Sequence, residues 1–297
     1  MHIPNEMLNG LVCPVSAVLA VTGLGAAALA ASKSQNKPDP MRFAAVAALV
    51  FAGQMLNFPI QDGTSGHLLG GVLASGLLGI PFGVLAIALV VCLQALVFAD
   101  GGLLVLGANI VNMALLGAGV GGLLLMQLHQ RGVPRVLALA LAGWASIMLA
   151  ATACSLELSM SGTISAEKVL PAMLGVHAQI GLVEAALSAA IVLALSHVRV
   201  TTGHWNVGLP MLVAFLAALV LTPFASSKPD GLEWVAAKFE FLKEGAPQFV
   251  TPLADYQISS LGQSSLSTAL AAIVGVMITL AVGWFIDKLL HANRAAV

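Results

Sequence analysis

The chain has 297 residues and a formal net charge of −1, with 59% of its residues apolar and 8% charged. Soluble globular domains carry about 25% charged residues, so this sequence has too few charges to cover a water-exposed surface. The mean hydropathy is +0.98. These values exclude a soluble enzyme, a nucleic-acid-binding protein and a disordered chain. They predict an all-α polytopic membrane protein.

Apolar stretches long enough to form membrane helices recur along the whole chain. A helix of about 20 apolar residues spans the hydrocarbon core of a bilayer. The candidate segments are residues 10–31, 43–59, 67–80, 82–99, 102–126, 136–156, 171–197, 206–225 and 266–290. The third is short and glycine-rich and runs into Gly79-Ile80-Pro81, a pattern typical of a segment that lines a site or re-enters the membrane. The sequence predicts nine helical segments.

The distribution of charges predicts the orientation of these segments. An excess of Lys and Arg marks cytoplasmic loops. With the amino terminus outside, the inner segments contain Lys33, Lys37, Arg42, Arg131, Arg135, Arg199, Lys288 and Arg294, and the outer ones contain Lys168, Lys228, Lys238 and Lys243. Most of the acidic residues lie in the outer segments. We therefore expect an extracytoplasmic amino terminus and a cytoplasmic carboxyl terminus.

We expect the first apolar stretch to stay in the mature protein. Residues 11–31 end in small residues that resemble a signal-peptide cleavage site. However, the preceding segment contains Glu6 and no Lys or Arg, and the apolar run is longer than the roughly 7–15 residues of a signal sequence. The sequence therefore predicts a free amino terminus at Met1.

The composition changes after the seventh segment. The remaining residues contain two apolar helices around a long outer loop at 226–264, which is richer in charge and in proline. We predict two units, a seven-helix bundle over residues 1–204 and a two-helix module over residues 205–297.

His2, at the start of the chain, indicates a transition-metal site. The Met1 amine, the His2 backbone amide and the His2 imidazole Nδ1 are three nitrogens that close fused five- and six-membered chelate rings around one ion. Amide and imidazole nitrogens in one plane suit Ni(II) and Cu(II). A further imidazole completes four-coordination. His67 is the candidate, because Gly63 and Gly66 allow the outer loop before it to fold back tightly.

These residues resemble a known transporter family. The start Met1-His2-Ile-Pro and the stretch Gly63-Thr-Ser-Gly-His67-Leu-Leu-Gly-Gly71 look like the CbiM/NikM substrate-specific components of energy-coupling-factor (ECF) cobalt and nickel transporters. Residues 100–109 and 175–177, with Glu184 a few residues on, are similar to the same family. Residues 227–233 and 252–256 resemble the small partner CbiN/NikN, here fused to the same chain.

The resemblance implies a metal bound near the outer face by the Met1 amine, the amide and imidazole of His2, and the imidazole of His67. The stretch before His67 looks more like the nickel branch, so Ni(II) is expected in preference to Co(II). Uptake of Co(II) for cobalamin synthesis is the alternative.

The resemblance also implies partners and a location. The partners are a CbiQ/NikQ-type transmembrane coupling subunit and CbiO/NikO-type cytoplasmic ATPases, in a bacterial or archaeal cell membrane. The chain has no GxxxxGKS/T motif for binding ATP, so we expect a transport subunit and not an enzyme.

Polar residues near the proposed ligands are candidates for orienting them. A ligating imidazole donates its second N–H to an acceptor, which fixes its tautomer. The candidates at compatible depth are Asn57, Thr64, Ser65, Gln94, Asp100, Asn109 and His177. For each, a polar contact between helices or loop capping is the alternative role. Glu184, about 20 Å below the start of its helix, is too deep for a direct ligand and is either a functional carboxylate or a hydrogen-bonded neutral group.

Three other functions stay open as alternatives. A secondary permease driven by an ion gradient needs carboxylates near the midplane, where only Glu184 is available. A vitamin-binding subunit needs an outer pocket rich in Trp and Tyr, whereas the chain has four scattered Trp and one Tyr. A membrane enzyme needs an acid–base or nucleophilic constellation, and the sequence contains none that is recognisable.

Overall fold

The computed structural model describes residues 2–202, 207–242, 251 and 253–292. The predicted ligand Met1, the predicted junction at 204–205, part of the outer loop and residues 293–297 lie outside the described residues. The helices are α1 (Val12–Lys33), α2 (Pro40–Gln54), α3 (Gly71–Leu78), α4 (Ile80–Val97), α5 (Leu106–Ile110), α6 (Gly121–Gln130), α7 (Arg135–Met160), α8 (Ala166–Thr202), α9 (Gly208–Leu216), α10 (Gly231–Lys238) and α11 (Ser265–Ala292). A π-helical stretch, Val111–Val120, makes α5 and α6 continuous.

The described helices include six that are long and apolar enough to cross a membrane. They are Val12–Lys33, Ile80–Val97, Leu106–Gln130, Arg135–Met160, Ala166–His197 and Ser265–His291, and Pro40–Gln54 and Gly208–Leu221 are shorter apolar helices. Within the described ranges, the two strands β1 (Phe58–Pro59) and β2 (Ser65–Gly66) form one short antiparallel hairpin. The prediction of an all-α polytopic membrane protein is confirmed.

The predicted third segment, residues 67–80, contains the helix α3 and, at Ile80, the first residue of α4. Residues 67–70 form a loop, and Gly79, with φ +89°, ends the helix just before α4. Eight residues rise about 12 Å, which is too short to cross a bilayer. The first turn of α3 packs closely because a Cβ at Gly71 would lie 2.6 Å from the carbonyl carbon of Gly117. The glycine-rich segment is thus a short internal helix.

Charged side chains hold both ends of α3. At its amino-terminal end, Glu184 of α8 accepts hydrogen bonds from the backbone N–H groups of Leu69 and Gly70. At its other end, the guanidinium groups of Arg42 and Arg135 donate to carbonyl oxygens of the last turn. A carboxylate at the first end and cations at the second both match the polarity of the helix dipole.

The carboxyl-terminal helices pack on the first unit. Both α11 and α9 contact α2. The connection between them crosses the end of the bundle where the amino terminus lies. There Ser226 N donates to the Asn57 carbonyl oxygen at 2.7 Å, and Asp255 N donates to the Phe98 carbonyl oxygen at 2.9 Å. The carboxyl-terminal loop is therefore bonded directly to loops of the first unit.

Candidate metal centre

The amino-terminal segment is inserted into the bundle. Ile3 and Met7 are fully buried. The Ile3 N–H donates to Asn109 Oδ1 at 2.8 Å, and the Ile3 carbonyl oxygen accepts from Asn109 Nδ2 at 3.2 Å. The same carbonyl accepts from Gly102 N at 2.9 Å. The Asn109 side chain thus pairs with Ile3 as a peptide group of a neighbouring strand would, and this anchoring fixes the position of His2.

The His2 side chain lies in a polar socket and is 8% exposed. Its Nε2 is 3.1 Å from Gln94 Oε1, and its Nδ1 is 3.3 Å from Asp100 Oδ1. Burial lowers the pKa of His2 from its ordinary value of 6.5. The ring is therefore neutral at pH 7, and a neutral imidazole keeps one nitrogen lone pair for a metal ion.

His67 directly follows the β1–β2 hairpin and approaches His2 from the other side. Its Nδ1 lies 3.1 Å from the Leu68 carbonyl oxygen, and its Nε2 lies 3.9 Å from Asp230 Oδ2. Because a carbonyl oxygen only accepts, Nδ1 carries the proton and Nε2 the lone pair. Burial lowers the pKa of His67 from 6.5 to about 3. His67 is thus also neutral at pH 7.

Two buried side chains hold the loop that follows His67. Gln54 Nε2 donates to the Leu69 carbonyl oxygen at 2.7 Å. Glu184 accepts from Leu69 N at 2.7 Å and from Gly70 N at 3.0 Å. Glu184 does not touch either imidazole, in line with its predicted depth, but it fixes the backbone that carries one of them.

The rings of His2 and His67 stack, with centroids 5.5 Å apart and 16° between their planes. Two imidazoles that bind one ion through bonds of about 2.0–2.1 Å have centroids roughly 4.5–6 Å apart. Within the described residues, no group of three or more His, Cys, Asp and Glu side chains is arranged to hold a metal ion. An ion between these two rings therefore needs its other donors from a different source, such as backbone nitrogens.

Five of the seven predicted polar neighbours use their side chains for hydrogen bonds or ion contacts with the amino terminus or with the carboxyl-terminal loop. Those at the amino terminus are Gln94, Asp100 and Asn109, described above. Thr64 and Ser65 instead donate through their hydroxyl groups to the Pro229 carbonyl oxygen, at 3.3 Å and 3.1 Å. Their hydrogen bonds therefore join the His67 hairpin to the carboxyl-terminal loop.

The other two predicted neighbours are Asn57 and His177. Asn57 contributes its backbone carbonyl to the contact with the carboxyl-terminal loop. His177 Nδ1 donates to the Met173 carbonyl oxygen at 2.8 Å. His177 also lines a chamber of about 10 Å³ together with His67 and Asp230, which is about the space of one water molecule.

Sequence reasoning missed Asp230 as a neighbour of His67. Asp230 caps α10: its Oδ1 accepts from Leu232 N at 2.8 Å and Glu233 N at 2.9 Å, and Glu233 Oε2 accepts from Asp230 N at 2.9 Å. This is a capping box. The other oxygen, Oδ2, is the one near His67. The motif was visible in the sequence, but a capping box does not indicate which surface its helix packs against.

Sequence reasoning also missed Tyr256. Its hydroxyl donates to Asp100 Oδ2 at 2.6 Å and accepts from Gln94 Nε2 at 3.0 Å. Its ring stacks on Phe98, with centroids 4.7 Å apart and 19° between the planes. The only sequence signal was its place in the second carboxyl-terminal motif.

A cleft of about 560 Å³ adjoins the two imidazoles. Its lining includes both histidines and the acidic residues Glu6, Asp100, Asp230, Glu233 and Asp255. No Lys or Arg is present among the described residues that line it. Carboxylates grouped without Lys or Arg side chains among them produce a negative potential that attracts cations. The arrangement combines a cation-attracting cleft with two neutral imidazoles.

Comparison with known proteins identifies the family. Residues 2–202 match the family model described as CbiM, cobalt uptake substrate-specific transmembrane region. The chain belongs to the CbiM family. A second model, the PDGLE domain, matches residues 205–292. The five residues that give this domain its name are Pro229–Glu233 here, so the CbiM histidine His67 faces the PDGLE aspartate Asp230.

Relatives of this CbiM-family chain are named for both nickel and cobalt. The chain is 34% identical to the "Putative fused nickel transport protein NikMN" of Archaeoglobus fulgidus, over 97% of this chain and 98% of that protein. It is 33% identical to the "Cobalt transport protein CbiM" of Sorangium cellulosum, over 48% of this chain and 67% of that protein. A crystal structure of a truncated transition metal transporter is similar with a TM-score of 0.61 and 32% identity, covering 66% of this chain and 99% of that one.

Proposed function

We propose that the chain is the substrate-binding membrane subunit of an ECF-type ABC importer for a divalent transition metal, with Ni(II) preferred over Co(II). The ion is bound at the extracytoplasmic face by the Met1 amine, the backbone amide and imidazole of His2, and the imidazole of His67. The observation that carries the proposal is a pair of buried imidazoles 5.5 Å apart, one of them on the second residue of the chain.

The nature of the donors supports nickel over cobalt. With two imidazoles and no third described side-chain ligand, the terminal amine and the deprotonated amide complete a set of four nitrogens. Nitrogen donors in a plane suit Ni(II), and Co(II) lies below Ni(II) in the general order of affinity. The alternative is a Co(II) uptake component for cobalamin synthesis, a reading supported by the relatives named for cobalt.

The two predicted units have different roles in this proposal. Residues 1–204 form the metal-capture bundle, and residues 205–297 form the CbiN/NikN-like module that assists loading. The contacts of Pro229 with the His67 hairpin and of Tyr256 with Asp100 support this division of labour. In this proposal the amino terminus is extracytoplasmic and the carboxyl terminus is cytoplasmic. The excess of Lys and Arg in the segments at the end of the bundle opposite the amino terminus supports this orientation.

Energy for transport comes from partner subunits in this proposal. A CbiQ/NikQ-type coupling subunit joins the chain to CbiO/NikO-type ATPases, and the chain itself is a transport subunit and not an enzyme. The sequence lacks a GxxxxGKS/T motif, which supports hydrolysis of ATP elsewhere.

The rival function, an ATP-independent permease, requires a midplane carboxylate that is free to bind the moving ion. Glu184 is the candidate, but both of its oxygens accept backbone hydrogen bonds from the loop that follows His67. That engagement favours a positioning role for Glu184 over a role as an ion carrier. Metal uptake by the chain alone, in cells without the ATPases, would support the rival.

A metal titration of the purified chain tests the proposal. Ni(II) and Co(II) are added to the native chain, to a variant with one extra residue before Met1, and to His67→Ala. Visible absorbance and metal content are measured. His129→Ala is the matched control, because His129 is an exposed histidine at the end of α6, away from the stacked pair.

The expected result is one Ni(II) per native chain with the yellow absorbance of a square-planar nitrogen site. His129→Ala should bind equally, whereas the extended amino terminus and His67→Ala should lose the ion. Equal binding by all four proteins would refute the proposed ligands. Tighter binding of Co(II) than of Ni(II) would favour the cobalt alternative.

A further inference from the structure

Four side chains form a closed ring of polar contacts around the first ligand. His2 Nε2 is 3.1 Å from Gln94 Oε1, and Gln94 Nε2 is 3.0 Å from the Tyr256 hydroxyl. The Tyr256 hydroxyl is 2.6 Å from Asp100 Oδ2, and Asp100 Oδ1 returns to within 3.3 Å of His2 Nδ1. Three members belong to the CbiM-like part and the fourth, Tyr256, to the PDGLE domain.

The chemistry of these groups determines where each proton lies. An ionised Asp100 only accepts, so the 2.6 Å contact requires the Tyr256 hydroxyl to donate to it. With its single proton used, the hydroxyl can only accept from Gln94, which therefore turns its NH₂ toward the tyrosine. The amide oxygen of Gln94 then accepts from Nε2 of the neutral His2 ring. Nδ1 is left without a proton 3.3 Å from Asp100 Oδ1, and a cation bound at Nδ1 relieves the repulsion between these two acceptors.

We infer that Tyr256 is a positioning residue that fixes the tautomer of His2, leaving Nδ1 unprotonated and free for the metal ion. This inference rests on the proposed function, in which Nδ1 is the imidazole donor of the amino-terminal chelate. Only Nδ1 is close enough to the backbone to close the six-membered ring with the His2 amide. The PDGLE domain thus sets the chemical state of a ligand on the other unit without touching the ion.

The placement of Tyr256 is over-determined, as a positioning role requires. Its ring stacks on Phe98, and the backbone N–H of Asp255 donates to the Phe98 carbonyl oxygen. Tyr256 has φ +56°, in the left-handed region that is unfavourable for a bulky side chain. Burial and the charge of Asp100 raise the pKa of Tyr256 well above its ordinary value of 10, so the hydroxyl keeps the proton that it donates.

Removing the Tyr256 hydroxyl permits the opposite tautomer of His2, with the proton on Nδ1. In Tyr256→Phe, Gln94 can rotate and present its NH₂ to His2, so nothing holds the proton on Nε2. Asp100, 3.3 Å from Nδ1, then attracts the proton to Nδ1 through a charge-assisted hydrogen bond. A metal ion must displace that proton, so we expect Ni(II) affinity to fall about tenfold, as for other residues that orient a ligand.

The test combines a spectrum with a double-mutant cycle. Chains labelled with ¹⁵N-histidine, free of metal, give ring ¹⁵N–¹H correlations that differ between the two tautomers, and His2→Ala assigns the His2 signals. The full-length chain, Tyr256→Phe and Thr251→Val are compared. Thr251 is the matched control, because its hydroxyl also bonds the carboxyl-terminal loop to the first unit. It donates to the Val97 carbonyl oxygen and accepts from Leu253 N, neither of which belongs to the ring of four.

The double-mutant cycle measures the effect of Tyr256→Phe in the native chain and in Gln94→Glu. The carboxylate of Gln94→Glu accepts a hydrogen bond from His2 Nε2 whether or not the Tyr256 hydroxyl is present. We expect the Nε2–H tautomer in the native chain and Thr251→Val, and the Nδ1–H form in Tyr256→Phe. Tyr256→Phe should weaken Ni(II) binding about tenfold in the native background but less than about twofold in Gln94→Glu.

An unchanged His2 tautomer in Tyr256→Phe, or equal losses of affinity in both backgrounds, would overturn the inference and leave the proposed function intact. Failure of the native chain to bind Ni(II) would overturn the proposed function. The spectrum of the metal-free chain decides the role of Tyr256 in either case.

Discussion

Replacing Glu184 with glutamine tests how the loop that carries His67 is held. In the native chain, the two carboxylate oxygens accept from Leu69 N at 2.7 Å and from Gly70 N at 3.0 Å. A glutamine amide keeps one acceptor oxygen and turns an NH₂ donor toward the other N–H. One buried backbone N–H therefore loses its partner.

The size of the effect follows from these two bonds. A buried N–H without a partner costs about 1–3 kcal/mol, and a hydrogen bond to a charged acceptor contributes about 1.5–3 kcal/mol. We expect Glu184→Gln to destabilise the native loop by about 2–3 kcal/mol. His67 is a ligand in the proposed function, so the affinity for Ni(II) should fall by up to about 30- to 150-fold as the native loop becomes a minor population.

Isothermal titration of the purified chain with Ni(II) measures this loss, and a thermal melt shows whether the whole bundle is affected. Glu157→Gln is the matched control. Glu157 is also a carboxylate on a membrane helix, but its hydrogen bond is to Asn112 Nδ2, at 2.6 Å, and not to the His67 loop. A Glu184→Gln affinity within about twofold of the native chain would refute the argument, since independent sites do not couple.

Three further predictions concern Asp230, His67 and Gly71. Asp230→Asn keeps a cap for α10 but removes a charge 3.9 Å from His67 Nε2, so Ni(II) affinity should fall about 3- to 10-fold while the melting temperature stays unchanged. Asp230→Ala should also lower the melting temperature, because the helix loses its cap. Equal melting temperatures of the two variants would contradict this prediction. The metal-free chain should lose stability as the pH falls from 6.5 toward 3, because His67 binds a proton in this range only when the chain is unfolded. Melts at several pH values should show that the melting temperature of His67→Gln depends less steeply on pH. An unchanged pH dependence would argue against this prediction. Gly71→Ala should destabilise the bundle by about 1–3 kcal/mol through overlap with the Gly117 backbone, whereas Gly175→Ala, with no atom within 4 Å of its new Cβ, should not; similar melts would count against the packing argument.

The positions of the membrane helices follow closely from the sequence. The predicted segments 82–99 and 136–156 correspond to Ile80–Val97 and Arg135–Met160, because the length of an apolar run decides whether a helix can cross the bilayer. The interpretation of residues 67–70 as helix was wrong. Apolar residues inside a bundle and apolar residues in lipid have the same composition, so hydropathy does not distinguish a buried loop from a membrane helix.

His2 could be selected from the sequence because the predicted chelate depends on covalent neighbours at the start of the chain. His67 could be selected because Gly63 and Gly66 allow the outer loop before it to fold back. The contacts of Asp230 and Tyr256 could not be selected, since they depend on how a loop packs: Tyr256 and Asp100 are 156 residues apart in the sequence. Glu184 was set aside by counting depth along its own helix. The loop that follows His67 descends into the bundle and meets Glu184 there, which a count along one helix cannot predict. The assignment of Met1, His2 and His67 as ligands stays a prediction.

The short helix α3 lies between two arginine side chains at one end and the loop that carries His67 at the other. The last turn of α3 is bonded to Arg42 and Arg135. Its other end, about 12 Å away along the helix axis, begins at Gly71, four positions after His67. His2 is anchored separately, through Asn109 on another helix. In the proposed function, a partner subunit that shifts the arginine end of α3 along the helix axis by about 1 Å would separate the two imidazoles by several times the roughly 0.2 Å that a metal–ligand bond tolerates. In the proposed function, the ion would then be released by a shift of α3 of about 1 Å, without unfolding of the amino-terminal segment that carries His2.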